Sequence, residues 1–105
     1  MAFKIVRNDI TKVEADIIVN TANPQPKCVS GTDLAIYEAA GKEALLAERK
    51  TIGPIERGDI AVTGAYNLNA KYIIHTVGPV WIDGNHHELE ILERCYRLPL
   101  QKAIE

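Results

Sequence analysis

The sequence lacks the features that mark membrane, secreted and nucleic-acid-binding proteins. Its longest apolar runs are a few residues, too short to cross a bilayer. No charged segment followed by an apolar one precedes the first strand-like stretch, so we expect no secretion signal and no membrane partner. A net charge of −2 and an isoelectric point near 5.9 supply no basic surface. Nucleic acid is therefore not expected as the main partner, although one loop could still be locally basic.

Cysteine is also scarce. The two thiols, Cys28 and Cys95, lie far apart and match neither a disulfide framework nor a CxxC pattern. A reducing, cytoplasmic setting is the favoured interpretation. With 47% hydrophobic and 25% charged residues in a chain of 105, the composition is that of one small globular domain.

Short apolar stretches bounded by turn-forming residues predict four strands, at 3–7, 16–20, 59–63 and 71–77. The β-branched run at 16–20 is typical of a strand buried on both faces. Residues 8–11 read as a turn, because Asn and Asp side chains cap their own backbone.

Helical spacing predicts three helices. The first begins near Thr32, with Ser30 or Thr32 as N-cap, and stops at Gly41; the second covers 42–50 with Leu45 and Leu46 inward. A third follows residue 85, where apolar residues recur at 89, 92, 96, 100 and 103. Pro99 is expected to kink this helix or end it early, because proline removes the bond to the carbonyl of residue 95.

Alternating strands and helices indicate an α/β layered sheet, in which ligands bind beyond the carboxyl ends of strands. The longest loop there, 20–33, leads into a helix whose N-terminus suits an anion. Its glycine and prolines could equally serve only to turn the chain, and neither common phosphate fingerprint is present. Asn20 could hold a sugar hydroxyl or cap backbone groups, and Asp33 could act on a ligand or merely stabilise the helix dipole.

Four segments occur in an order that carries a resemblance: NDIT at 8–11, IVNTAN at 18–23, TDLAIYEAAG at 32–41 and IHTVGPVW at 74–81. Together they resemble the macrodomains, ADP-ribose-binding modules with a three-layer α/β/α sandwich, and in particular the branch that removes ADP-ribose from proteins. The resemblance covers essentially the whole chain.

The resemblance implies a role for several side chains. Asp9 accepts a hydrogen bond from the adenine amino group with Ile10 beside the base, Asn23 holds the distal ribose, and Asp33 takes part in hydrolysis. Asp33 would either activate water as a general base or orient a water activated by the ligand's phosphate. The expected catalytic residues are Asn23 and Asp33, and the expected ligand-binding residues are Asp9, Ile10, Asn20, Asn23, Cys28, Val29, Ser30, Gly31 and Thr32.

The sequence departs from the family's pattern at three places. Asn8 stands where a glycine is usual, the loop 28–31 is less glycine-rich, and Tyr37 replaces a histidine found in many members. His75 follows an apolar strand and is expected to be buried and structural. The pair at 86–87 is interpreted as a solvated loop rather than a metal site, so we expect neither metal nor cofactor.

The resemblance also implies missing parts. The family adds two central strands, which lie between those matching 3–7 and 16–20, and then a second phosphate-binding loop and a last helix. We expect residues 1–105 to be the N-terminal part of a single, truncated macrodomain that forms a homo-oligomer or swapped dimer to cover its open edges. Three functions follow: hydrolysis of protein-linked or small ADP-ribose derivatives by the complete domain, a non-catalytic nucleotide-binding module, or an inactive self-associating fragment. For the 105-residue chain itself, weak or no activity is expected.

Overall fold

A computed structural model describes residues 6–27, 31–79, 84–85 and 87–104. A short 3-10 helix at Ile10–Lys12 precedes strand β1, Ile17–Thr21. Helices α1, Gly31–Ala40, and α2, Lys42–Ile52, follow. Strands β2, Ile60–Gly64, and β3, Tyr72–Thr76, lead to helix α3, Glu88–Ile104.

The three strands form a mixed sheet in the order β1-β3-β2. Strand β3 is central: it runs parallel to β1 and antiparallel to β2. In this register His75 of β3 lies between Asn20 of β1 and Ala61 of β2. Neighbouring residues of paired strands share a face, so Asn20 and His75 point to the same side of the sheet.

We call that side the α1/α2 face, because α1 and α2 cover it. Its core consists of apolar side chains from both helices, two strands and the segment after β2: Ile18, Ile36, Tyr37, Ala40, Leu45, Ala65, Leu68 and Ile73. Gly41, with φ of +113°, separates the two helices; this conformation disfavours a side chain and lets α2 turn back over the sheet.

Helix α3 covers part of the opposite side, the α3 face, by packing against β2 and β3. The apolar residues that recur along α3 at helical spacing lie on its exposed side: Leu89, Tyr96 and Leu100 are 66%, 71% and 65% exposed. The side with Cys95 and Pro99 turns toward the protein, and the Cys95 Sγ donates to the Val77 carbonyl at 3.1 Å.

Helix α3 continues through Pro99 to Ile104, so of the two effects expected of Pro99, a kink or an early end, the early end is wrong. Proline in a helix interior costs about 3 kcal/mol through its missing N–H and a steric clash. Here Pro99 is buried, and its packing offsets part of that cost.

The structure confirms some of the predicted strands and corrects others. Most of the first strand, 3–7, lies outside the described residues, and Val6 and Arg7 are not in a strand. Strand β1 has one buried side, with Ile18 and Asn20, while Val19 is 42% exposed; the expectation of two buried faces is wrong for the described structure. Strands β2 and β3 lie where the sequence predicted them. A mixed sheet with helices on both faces confirms the α/β class.

None of the helices in the described parts of the chain is long and apolar enough to span a bilayer.

Candidate functional site

The candidate site lies where the chain leaves the carboxyl end of β1. Ala22 N donates to the Thr76 carbonyl at 2.7 Å, which ties the start of the loop to β3. The Asn23 Oδ1 then accepts from Gln25 N at 3.0 Å, the side-chain turn expected of an asparagine before proline. Ile55 N donates to the Pro24 carbonyl at 2.7 Å. Hydrogen bonds thus fix the loop at the end of β1 and at Pro24.

Arg49 of α2 holds this loop through hydrogen bonds to its backbone carbonyls. The side chain is only 1% exposed. Its guanidinium donates to the carbonyls of Gly53 at 2.7 Å, Asn23 at 2.9 Å and Gln25 at 3.2 Å. In the described part of the chain these carbonyl oxygens, rather than a carboxylate, are its hydrogen-bond partners. A buried cation therefore holds the backbone that carries Asn23.

Asp33 lies in the first turn of α1, which opens at Gly31 with φ of +66°. Asn20 Nδ2 donates to the Asp33 Oδ1 at 2.7 Å. Burial raises the pKa of the Asp33 carboxyl, while the Asn20 hydrogen bond and the positive charge of Arg49 oppose that rise. A raised pKa makes the carboxylate a better proton acceptor.

His75 connects the site to the sheet. Its Nδ1 lies 3.1 Å from Asn20 Nδ2, and its Nε2 lies 2.8 Å from Thr63 Oγ1. Burial, with a smaller effect of the Arg49 charge, lowers the pKa of His75 to about 4, so the ring is neutral near pH 7. The Tyr37 ring lies 6.1 Å away, centroid to centroid. The prediction of a buried, hydrogen-bonded His75 is confirmed.

Two buried oxygens at this end of the sheet have no hydrogen-bond partner among the described residues: Asn20 Oδ1 and Thr76 Oγ1. Buried acceptors in proteins are normally satisfied by protein, water or ligand. Asn20 thus has an acceptor to offer in addition to the amide hydrogens that face Asp33 and His75.

Asp9 and Ile10 lie in the short element beside α1. The Asp9 Oδ1 caps it by accepting from Thr11 N at 3.0 Å and Thr11 Oγ1 at 2.7 Å. The Thr11 side-chain hydrogen bond is the main cause that lowers the pKa of Asp9. Ile10 packs against the core of the α1/α2 face.

The remaining expected ligand-binding residues divide into two groups. Cys28, Val29 and Ser30 lie outside the described residues, while Gly31 and Thr32 form the exposed start of α1. Across the described segments, no three His, Cys, Asp or Glu side chains are grouped to hold a metal ion.

The sequence model of the Macro domain matches residues 19–105, most of the chain. The chain belongs to the macro domain family.

Two relatives and one solved structure show how far the likeness extends. A macro domain-containing protein of Chlorobaculum tepidum is 46% identical over 100 residues, which are 95% of this chain and 58% of the relative. An O-acetyl-ADP-ribose deacetylase 1 of Pantoea vagans is 46% identical over 97 residues, 89% of this chain and 56% of the relative. The Trypanosoma brucei macrodomain in complex with ADP-ribose superposes with a TM-score of 0.82 at 37% identity, covering 92% of this chain and 39% of that one.

The macro domain fold inferred from the sequence is confirmed, and the chain spans little more than half the length of the curated relatives it matches. Sequence reasoning missed two residues of the site, Arg49 and Thr63. A signal existed for Arg49, which follows the inward Leu45 by four residues and so shares its face of α2. No signal existed for Thr63, because its partner His75 is set by strand pairing.

Proposed function

We propose that this macro domain binds ADP-ribose at the carboxyl end of β1, and that the complete domain hydrolyses ADP-ribose derivatives or releases ADP-ribose from modified proteins. The observation that carries the proposal is the Asp33 carboxylate. It lies at a helix N-terminus, has a raised pKa and is hydrogen-bonded by the buried Asn20. The T. brucei complex with ADP-ribose and the P. vagans deacetylase support the ligand and the reaction class.

The binding roles follow from the chemistry of each group. Asp9, whose Oδ1 accepts from Thr11, offers a carboxylate acceptor to the adenine amino group, and Ile10 supplies apolar surface for the base. Asn23, whose carbonyl accepts from Arg49, is proposed to hold the distal ribose. The residues proposed to bind the diphosphate are Cys28, Val29, Ser30, Gly31 and Thr32. Of these, Gly31 and Thr32 begin α1, and the free N–H groups of a helix N-terminus favour an anion.

Asp33 carries the proposed hydrolysis. Water would attack the electrophilic carbon of the linkage, and the water's proton would pass to the Asp33 carboxylate or, in the alternative route, to a phosphate oxygen of the ligand while Asp33 orients the water. The carbon–oxygen bond of the linkage would break with its electron pair on the leaving oxygen. An oxygen that leaves as an alkoxide would take back the proton that Asp33 or the phosphate had accepted, which gives ADP-ribose and a free acid. Either route needs a carboxylate that is partly desolvated and fixed in direction. The hydrogen bond from Asn20 supports both requirements.

We assign turnover to the complete domain, with residues 1–105 as its N-terminal part, because the chain spans 58% of its C. tepidum relative. For this chain alone, ligand binding is the activity to measure first, and weak or no turnover is expected. The proposed homo-oligomer or swapped dimer is measured directly by sedimentation velocity.

Calorimetric titration with ADP-ribose tests the binding site. The C. tepidum relative serves as the positive control, and both proteins are expected to bind ADP-ribose. Asp9→Asn should weaken binding at least tenfold, because a hydrogen bond to a charged group contributes about 1.5–3 kcal/mol. Asp16→Asn is the matched control, since Asp16 is an exposed aspartate at the opposite end of β1, and it should leave the affinity unchanged. No binding by either protein would contradict the proposal.

Release of ADP-ribose from an acylated derivative tests the reaction. The Asp33→Asn substitution is made in this chain and at the equivalent position of the C. tepidum relative. In each protein that hydrolyses the derivative, the variant should still bind ADP-ribose but no longer catalyse hydrolysis. Binding with no turnover by any unaltered protein would instead favour a non-catalytic recognition module.

A further inference from the structure

The buried contacts behind Asp33 form one continuous chain of hydrogen bonds: Asp33, Asn20, His75, Thr63 and the Gly64 carbonyl. Asn20, His75 and Thr63 are all essentially inaccessible to solvent. Water therefore cannot substitute for a lost partner, and each link constrains the next.

The direction of the chain follows from the inventory of protons. The Thr63 hydroxyl has a single hydrogen, and it donates to the Gly64 carbonyl at 3.1 Å. In that arrangement Thr63 Oγ1 accepts from His75 Nε2. The other end of the series requires the same ring proton: Asn20 Nδ2 donates to the Asp33 carboxylate and also faces His75 Nδ1, which must therefore accept, so the neutral ring carries its proton on Nε2.

The bare Nδ1 of His75 is consequently an acceptor. The Asn20 amide has two hydrogens: one is directed to this nitrogen at 3.1 Å and the other to the Asp33 Oδ1 at 2.7 Å. The opposite ring tautomer would set an Nδ1–H against the amide hydrogens. It would favour rotation of the amide, which would then present an oxygen to the Asp33 carboxylate.

We propose that Thr63 and His75 are positioning residues that fix the Asn20 amide and, through it, the direction of the Asp33 carboxylate. Thr63, His75 and Asn20 need not touch the reacting atoms for this role. The importance of the arrangement for hydrolysis rests on the function proposed above for Asp33, whereas the arrangement itself is a property of the ligand-free protein.

Among the described residues, one other charged group acts on both ends of this series of hydrogen bonds. Arg49 of α2 acts electrostatically on Asp33 and on His75. From α1, Tyr37 packs near the His75 ring. We call the hydrogen-bonded series from Asp33 to Thr63 the relay. A test must change the relay without altering Arg49 or Tyr37, and a substitution of Thr63 on β2 meets that condition.

The experiment compares Thr63→Val with Thr63→Ser, using carboxyl-carbon NMR to titrate Asp33. Valine keeps the shape of threonine but cannot accept from His75 Nε2, whereas serine keeps the hydroxyl. In Thr63→Val the pKa of Asp33 should rise by about one unit, a tenfold change in its protonation equilibrium. In Thr63→Ser the pKa should match that of the unaltered protein. A purely structural role would lower stability in Thr63→Val without moving the Asp33 titration.

Equal Asp33 titrations in the two variants would overturn the proposal. If Thr63→Val does not fold, nitrogen-15 NMR of the unaltered protein decides instead, since the relay requires His75 to carry its proton on Nε2. Finding the proton on Nδ1 would overturn it.

The proposed ADP-ribose binding and the proposed positioning role can be refuted independently of each other. If the unaltered chain and the C. tepidum relative bind no ADP-ribose, the proposed function is wrong, while the ligand-free titrations still decide the relay. If ADP-ribose binds but the Asp33 titration ignores Thr63→Val, the relay is wrong and the proposed ligand stands.

Discussion

The two faces of the sheet differ in what covers them and in what they contain. On the α1/α2 face, two helices bury Ile18, Ile73 and Leu45 together with the polar Asn20 and His75. On the α3 face, a single helix packs against β2 and β3, and Val19 and Tyr72 stay substantially exposed in the described structure.

The α1/α2 face holds a network of buried polar side chains that bond to one another. Asn20, Thr63 and His75 lie where covering helices exclude water, and they partner one another instead. Hydrogen bonds are stronger in such surroundings, and a lost partner costs more. The α3 face has an apolar groove of about 310 Å³ lined by Ile17, Val62, Tyr72, Ile74, Lys102 and Ala103.

The largest expected effect comes from Leu45→Ala, which removes a fully buried side chain from the α1/α2 face. The free energy of unfolding should fall by about 4 kcal/mol, because truncating a buried leucine loses transfer free energy and leaves a cavity. Urea unfolding measures it. Leu89→Ala on the exposed stripe of α3 is the matched control and should change stability by less than about 0.5 kcal/mol. Equal losses would erase the distinction between the two faces.

The second effect is a pH dependence set by His75. Its pKa falls from 6.5 in the unfolded chain to about 4 in the fold, so between these pH values the unfolded chain binds a proton that the folded one does not. Stability should decline as the pH drops from 6.5 to 4, by an amount on the order of 3 kcal/mol. The raised pKa of Asp33 acts in the opposite direction above pH 3.8.

The free energy of unfolding is measured between pH 4 and 6.5 for the unaltered protein and for His75→Gln. The difference between the two profiles is the contribution of His75 to the pH dependence. The variant cannot titrate at this position and should show a flatter profile. Parallel profiles for the two proteins would mean that His75 titrates normally in the fold.

A smaller loss is expected for Arg49→Met, which keeps the volume but leaves the carbonyls of Asn23, Gln25 and Gly53 without their donor. Stability should fall by about 2 kcal/mol, since a buried acceptor left unsatisfied costs 1–3 kcal/mol and water can reach part of this loop. Hydrogen exchange should also quicken at Ile55, whose N–H bonds to the Pro24 carbonyl.

Lys50→Met, one residue along α2 and exposed, is the control for removing a charge. Unchanged exchange at Ile55 in Arg49→Met would show that the loop is held by other contacts.

The smallest effect compares adjacent residues of β1. Val19→Thr replaces a methyl on the open face with a hydroxyl that water can solvate, and it should cost less than about 0.5 kcal/mol. Ile18→Thr places the same group in the core of the α1/α2 face and should cost several times more, because an unpartnered buried hydroxyl costs about 1–3 kcal/mol. Thermal unfolding ranks the two. A similar cost at both positions would indicate that Val19 is covered in solution.

Much of the fold could be predicted from local patterns. Strands β2 and β3 and helices α1 and α2 were located because β-branched runs, apolar spacing and Gly41 act over a few residues. Helix α3 shows the limit of such patterns. Its strongest apolar stripe, which includes Leu89 and Tyr96, is exposed, and the side with Pro99 packs inward. Periodicity identifies a helix but does not say which side meets the sheet.

The candidate site divides in the same way. Asn20, Asn23 and Asp33 were predicted as site residues because they lie together in one loop and in segments that resemble a family. Arg49 and Thr63 were not, since they reach the site from α2 and β2. His75 was correctly expected to be buried, but the sequence did not show that it contacts Asn20, 55 positions away.

The sequence by itself determined the alternation of strands and helices, the loop that follows β1, and the presence of an asparagine and an aspartate around it. These depend on turn chemistry and side-chain spacing, which act between near neighbours in the chain. Only the tertiary structure decided that β3 lies between β1 and β2, and therefore that His75 joins Thr63 to Asn20 behind Asp33. Strand pairing brings distant residues together, and that pairing is selected by the packing of the whole sheet rather than by any one segment.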